Sequence, residues 1–152
     1  MSPTDAELRR AVTVLDQYRA QLETLQRQHE VLSLSLEELM RAKETIARYR
    51  KAGKGAEVLV PIGANAFLYG KVADGENALI GIGSDLVLEE PVPKALERLD
   101  GRIRSLQEAT GSLAQRVSEL DARVAAQEEL VQGAYTRLEE KRSGTRPDAP
   151  GG

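Results

Sequence analysis

The sequence has no cysteine and no tryptophan, a single phenylalanine and a single histidine. Without cysteine there can be no disulfide, no thiolate metal site and no cysteine nucleophile, although nothing positive follows about redox compartment. One imidazole excludes any centre that needs two. Aromatic residues make up only 3% of the chain, thin for the core of a packed enzyme. An excess of one charge is also missing: 21 Lys and Arg stand against 24 Asp and Glu, for a net charge of −3. That balance creates no cationic field for phosphates, so nucleic acid is a poor partner. Long apolar runs are absent too. The longest uncharged stretch, Val58 to Gly70, is well short of the roughly 20 residues of a spanning helix. Asp5, Glu7, Arg9, Arg10 and Asp16 leave no room for the apolar centre of a signal peptide. The expectation is a soluble cytoplasmic chain with no membrane contact, and at 152 residues its length suits one domain.

What is present is heptad periodicity, twice. With Leu8 at position a, the first segment places Leu8, Leu15, Leu22, His29, Leu36, Lys43 and Arg50 at a. Ala11, Tyr18, Leu25, Leu32, Leu39 and Ile46 then fall at d. The register never slips, which argues coiled coil rather than an ordinary amphipathic helix. Ser2 before Pro3, or Thr4 with Glu7, offers a cap at its start, and Gly53 and Gly55 end it. The last segment opens near Pro91 and Pro93, which a helix tolerates only in its first turn. Here a holds Leu96, Ile103, Thr110, Val117, Val124, Val131 and Leu138, and d holds Leu99, Leu106, Leu113, Leu120, Gln127, Ala134 and Lys141. Gly101, Gly111 and Gly133 fall at f, b and c, either as tolerated surface glycines or as built-in softness. The runs Leu8–Arg50 and Leu96–Leu138 are equally long, so they are expected to fold back as an antiparallel pair with Leu8 opposite Leu138.

Between them the period shortens to two. Glu57–Pro61, Ala66–Val72, Ala78–Gly83 and Leu86–Glu90 read as strands, and Gly63-Ala64-Asn65, Asp74–Asn77 and Gly83-Ser84-Asp85 as turns. Such short connections make two antiparallel hairpins. Val58, Val60 and Ile62 are expected on one face, and Leu59 and Phe67 on the other. With Leu79, Ile80, Ile82, Leu86 and Leu88 they leave more apolar surface than so small a sheet can cover, so this segment is expected to hold an oligomer together. The predicted fold is mainly α with a small β module: a long antiparallel two-helix coiled coil with two β-hairpins at the helix-connecting end. The divisions are 1–52 for the first helix, 53–90 for the hairpins and 91–142 for the second helix. Residues 143–152, which hold one apolar alanine, form a disordered tail.

The hairpin segment resembles the alpha subunit of prefoldin. Val58-Leu-Val-Pro61, a small-residue turn, an aromatic, Gly70-Lys71-Val72 and then Gly81-Ile-Gly83 carry the resemblance, and two hairpins rather than one favour the alpha class over the beta class. The resemblance implies a hetero-hexamer of two alpha and four beta subunits, with β-hairpins joined in a central double barrel. It also implies an ATP-independent chaperone, not an enzyme, that binds unfolded polypeptides at the coiled-coil tips and hands them to a group II chaperonin. A coiled-coil scaffold or tether docking one folded partner is the alternative.

No constellation for chemistry competes with this. His29 lies in the seam, where a polar residue fixes register. Lys43 and Arg50 lie there too, with long stems that can pack while their charges reach water, or that can contact a neighbouring subunit. Gly81-Ile-Gly83 lacks the third glycine and the following helix of a dinucleotide loop, and Gly53-Lys54-Gly55 is not a P-loop. The pairs Glu37-Glu38, Glu128-Glu129 and Glu139-Glu140 splay apart on their helices. No cofactor and no metal is expected. At the tips, apolar residues exceed the seam's needs: Leu8, Val12, Leu15, Leu130, Val131, Tyr135 and Leu138 either cap the coil or open to take a non-native chain.

Overall fold

The computed structural model describes residues 3–144. The order of elements is α1 (Pro3–Ala52), β1 (Glu57–Gly63), β2 (Ala66–Lys71), β3 (Asn77–Gly83), β4 (Leu86–Pro91) and α2 (Val92–Gly144). Helix α1 runs unbroken because no glycine or proline interrupts it after Pro3. It stops at Gly53, whose φ of +79° only glycine adopts without strain. The Gly53 N–H still donates to the Tyr49 carbonyl at 3.2 Å, closing the last turn. Of the proposed caps, Ser2 and the Thr4 side chain lie outside the described residues. At the other end of the chain α2 continues through Ser143 and Gly144, two residues that the sequence places in the tail; 145–152 lie outside the described residues.

Each hairpin is a two-stranded antiparallel sheet, β1 with β2 and β3 with β4. Their registers are the same pattern moved 20 residues along the chain: Glu57↔Lys71 becomes Asn77↔Pro91, and Gly63↔Ala66 becomes Gly83↔Leu86. Both turns carry positive φ at two successive residues, Ala64 (+50°) with Asn65 (+58°) and Ser84 (+52°) with Asp85 (+59°). This is the type I′ geometry, whose twist matches that of the flanking strands. A bulge precedes each turn, at Ile62 and at Ile82.

The described chain divides into two compact units. In the unit of residues up to Val31 and from Thr110 onward, α1 and α2 pack against each other, burying Leu15, Leu120, Ala134 and Leu138. Arg19 bonds Glu128 at 3.0 Å and Arg137 approaches Glu7 at 3.8 Å. Partner numbers rise on α2 as they fall on α1, so the helices are antiparallel. The Glu7–Arg137 approach matches the expected pairing of Leu8 with Leu138.

In the unit Leu32–Ala109, Ile80 packs with Ala95 and Leu99, and Leu39, Ala42, Ile46 and Ala78 close around them. Val72 and Val92 are fully buried. Each such valine contributes about 1.5–3 kcal/mol of apolar burial. Lys43, at a seam position, reaches Asp100 on α2 at 2.6 Å. The heptad register fails only at its ends, where Arg50 and Lys141 are exposed and Tyr49 is half-buried in place of Arg50. An α-helix drifts from a strict seven-residue repeat, and the last turns leave the seam.

Candidate functional site

Two surfaces stand out, one on the hairpins and one at the paired helix ends. On the first hairpin the register places Leu59 beside Tyr69 and Pro61 beside Phe67 on one face, with Val58, Val60, Leu68 and Gly70 on the other. This agrees with the expected division of Val58 and Val60 from Leu59 and Phe67. Neither face is covered: Leu59, Val60, Ile62, Phe67 and Leu68 are exposed, and Tyr69 is 89% exposed. Val58 is half-buried. At Gly70 an added Cβ would lie 3.4 Å from a Val60 methyl, in ordinary contact.

The second hairpin differs. Leu79 (70% exposed), Ile82, Leu86 and Leu88 are open, but Ile80 is 6% exposed. The sequence assigns Ile80 to the open surface; the structure places it in the chain's own core. Its neighbours Ala78 and Glu90 share its face, and there Ile80 and Ala78 pack on the helices; its register partner Leu88, on the same face, stays 38% exposed. Two arginines on α2 secure that face. Arg98 donates to both carboxylate oxygens of Glu90 at 2.9 and 3.2 Å, and Arg102 donates to the Gly81 carbonyl at 2.5 Å. Glu90 is 3% exposed. The bonds from Arg98 hold its carboxyl below the ordinary range against the opposing effect of burial, with Lys94 and Arg102 adding to the pull. No periodic signal marks this clamp, because an acid near the end of a strand and an arginine two turns into the next helix share no repeat.

Backbone bonds tie the hairpins to the helix ends. Gly55 N–H donates to the Val72 carbonyl at 2.8 Å, Val72 N–H to Ala56 at 2.9 Å, and Val92 N–H to Glu76 at 2.9 Å. Gly75 passes so close that an added Cβ would lie 3.4 Å from the Gly53 Cα. Asp74 accepts from the Glu76 N–H at 2.8 Å, which lowers its pKa. Each of the four strands pairs with only one neighbour, so every one keeps an open edge.

At the helix ends, Val12, Leu130 (59%) and Tyr135 are exposed, whereas Leu15 and Leu138 are buried between the helices and Leu8 and Val131 are half-buried. The seven tip residues therefore form no continuous open surface while the helices are closed. Tyr135 hydrogen-bonds Glu139, which raises its hydroxyl pKa. Gln127 sits in the seam and donates from Nε2 to the Ala11 carbonyl at 2.9 Å.

Among the described residues, no three or more His, Cys, Asp or Glu side chains gather as metal ligands. The groove of about 840 Å³ along Met40, Lys43, Asp100, Ile103 and Arg104 contains the Lys43–Asp100 ion pair. No helix among the described residues is long and apolar enough to cross a membrane.

The prefoldin subunit family profile matches residues 18–137. The prefoldin alpha subunit of Pyrococcus horikoshii is 30% identical over 125 residues, covering 82% of this chain and 84% of that protein. The alpha subunit of Methanothrix thermoacetophila is 30% identical over 104 residues, 68% of each. Among solved structures, the filamentous PFD from Methanocaldococcus jannaschii, determined by cryo-EM, superposes with a TM-score of 0.62 at 26% identity, covering 74% of this chain and 93% of that one. With the two helices and paired hairpins, these matches make the chain a member of the prefoldin family, of its alpha class.

Proposed function

We propose that this chain is a subunit of an ATP-independent holdase. It assembles through its hairpins, captures unfolded polypeptides at the coiled-coil tips and passes them to a group II chaperonin in the cytoplasm. Beta-class subunits supply the rest of a hexamer of two alpha and four beta chains, with Val58, Val60, Ile62, Phe67, Leu79, Ile82, Leu86 and Leu88 in the shared interface. The observation that carries the assembly is a hairpin with apolar side chains on both faces and open edges on both strands, which a single chain cannot cover. Capture rests on the exposed Val12, Leu130 and Tyr135. Scattered apolar contacts suit a binder that must not read sequence. The sequence carries no nucleotide loop, and among the described residues no set of catalytic groups converges.

A coiled-coil tether that docks one folded partner would use the same surfaces. The two readings separate on breadth. The assembled protein should suppress aggregation of several unrelated denatured proteins, equally with and without ATP when no chaperonin is present. Protection of none, or protection that depends on ATP, would contradict the proposal.

A further inference from the structure

Each of the four strands leaves one edge without a strand partner, but the four edges are not equivalent. In an antiparallel pair, alternate residues bond across the pair and the residues between them turn their N–H and C=O outward. Val72 N–H donates to the Ala56 carbonyl and Val92 N–H to the Glu76 carbonyl, which sets the phase of both hairpins. Glu57, Leu59 and Pro61 therefore turn their backbone groups out from β1, and Phe67, Tyr69 and Lys71 from β2. On β3 the outward residues are Asn77, Leu79 and Gly81, and on β4 they are Val87, Glu89 and Pro91.

Three of these edges are impaired. Pro61 and Pro91 have no N–H, so β1 and β4 each lack a donor. On β3 the Gly81 carbonyl is occupied by Arg102 at 2.5 Å. Ser35, Glu38, Leu39 and Arg102 also line a groove beside Leu79 and Gly81, so a strand laid on that edge would meet both helices. Strand β2 alone among the described strands keeps every outward donor and acceptor, and Tyr69 at its centre is 89% exposed.

Resting on the hairpin-assembly reading above, we infer that a second copy of this chain joins edge to edge at β2, and that Arg102 directs it there by keeping the β3 edge closed. A two-fold axis at Tyr69 sets the two Tyr69 residues opposite each other and each Phe67 opposite Lys71. Every outward N–H then meets an outward carbonyl, and each Lys71 ammonium lies across from an aromatic ring. The same operation on β4 sets Glu89 against Glu89, like charges face to face. On β1 it leaves the Glu57 carbonyl facing Pro61, which has no donor to give. Because the β2 contact is isologous it closes at two copies, and the other edges stay free for different subunits.

The test uses the full chain without other subunits, followed by sedimentation over a range of concentrations and by hydrogen exchange at single amides. Wild type should form a dimer as its first associated species. The Tyr69 amide should gain protection on association and the Leu79 amide should not. Tyr69→Pro removes that outward N–H without touching the bonds to β1, and should weaken the dimer at least about tenfold. Leu79→Pro, the same change at the equivalent place on β3, should leave it as it is, and Tyr69→Thr, which loses the ring but keeps the N–H, should weaken it less than proline does. Arg102→Leu frees the Gly81 carbonyl and should let the dimer grow into larger species. Circular dichroism checks that each variant folds, and the wild-type amides test the edge even where one does not. A chain that stays monomeric, that grows without passing through a dimer, or that is weakened equally by both prolines overturns the inference. An Arg102→Leu chain that stops at the dimer removes Arg102 from it. In the complete assembly with beta-class subunits, protection on β3 with β2 left free would sink the edge assignment alone. If no hairpin amide gains protection there, the hairpin-assembly reading itself is wrong.

Discussion

Glu90 is the buried carboxylate of the hairpin module, and Arg98 is what keeps it charged there. Because its pKa in the folded chain lies below the ordinary 4.5, the stability it contributes is fully present above that ordinary value. It is lost as pH falls through the lowered one. Thermal unfolding should therefore be steady from neutrality down to about pH 5 and weaken below it. Arg98→Met should unfold at a lower temperature at pH 7, with the gap to wild type narrowing in acid; a gap independent of pH would remove the ion pair from the account. The turns give a second test at this scale. Ala64 holds a positive φ that glycine or asparagine tolerates better, so Ala64→Gly should stabilise the chain by about 0.5–1 kcal/mol in denaturant titration. A loss of stability would mean that the turn is not held as described.

Among the elements, the helices and the hairpins were legible in different degrees. Heptads marked both helices, because a seam repeats and each repeat confirms the last, and the equal lengths of the two runs marked their antiparallel pairing. Turn residues placed both hairpins for the same kind of reason, since Gly63-Ala64-Asn65 and Gly83-Ser84-Asp85 interrupt two apolar runs. What could not be read was which hairpin face the helices cover. Val60 and Ile80 occupy equivalent places in the 20-residue repeat, and alternation marks both as apolar; only tertiary packing separates an exposed Val60 from a buried Ile80. At the tips the heptad did separate the two cases, since Leu15 lies at a and is buried whereas Leu130 lies off the seam and is exposed. The distinction on the hairpins has a consequence for mutants. Leu59→Asp with Leu79→Asp places charges on open surface, so a lone chain should keep its helicity while its assembly falls apart, each charge costing several kcal/mol in an interface. Ile80→Asp should instead destabilise the chain's own fold. Sedimentation and circular dichroism on both variants distinguish these outcomes, and an intact assembly from the double variant would show that the hairpins are not the interface.

At the scale of the whole molecule, neither surface suffices alone. On the proposed function, exposed apolar contact at roughly 25 cal/mol per Å² would give one pair of helix ends only a few kcal/mol towards a client. Joining several such ends through the hairpins would raise their effective concentration on one unfolded chain, so capture should depend steeply on assembly. The account's central claim is that the tips capture and the hairpins only assemble. It is tested most directly by measuring aggregation suppression by an assembly lacking residues 1–15 and 131–152, at matched concentration and with its size checked by sedimentation. The truncated chain retains Tyr18–Arg50 and Leu96–Leu130 with both hairpins, so the account predicts an intact oligomer, a modest loss of helical signal and no protection of the client. An intact oligomer that protects as well as the full-length assembly would contradict it.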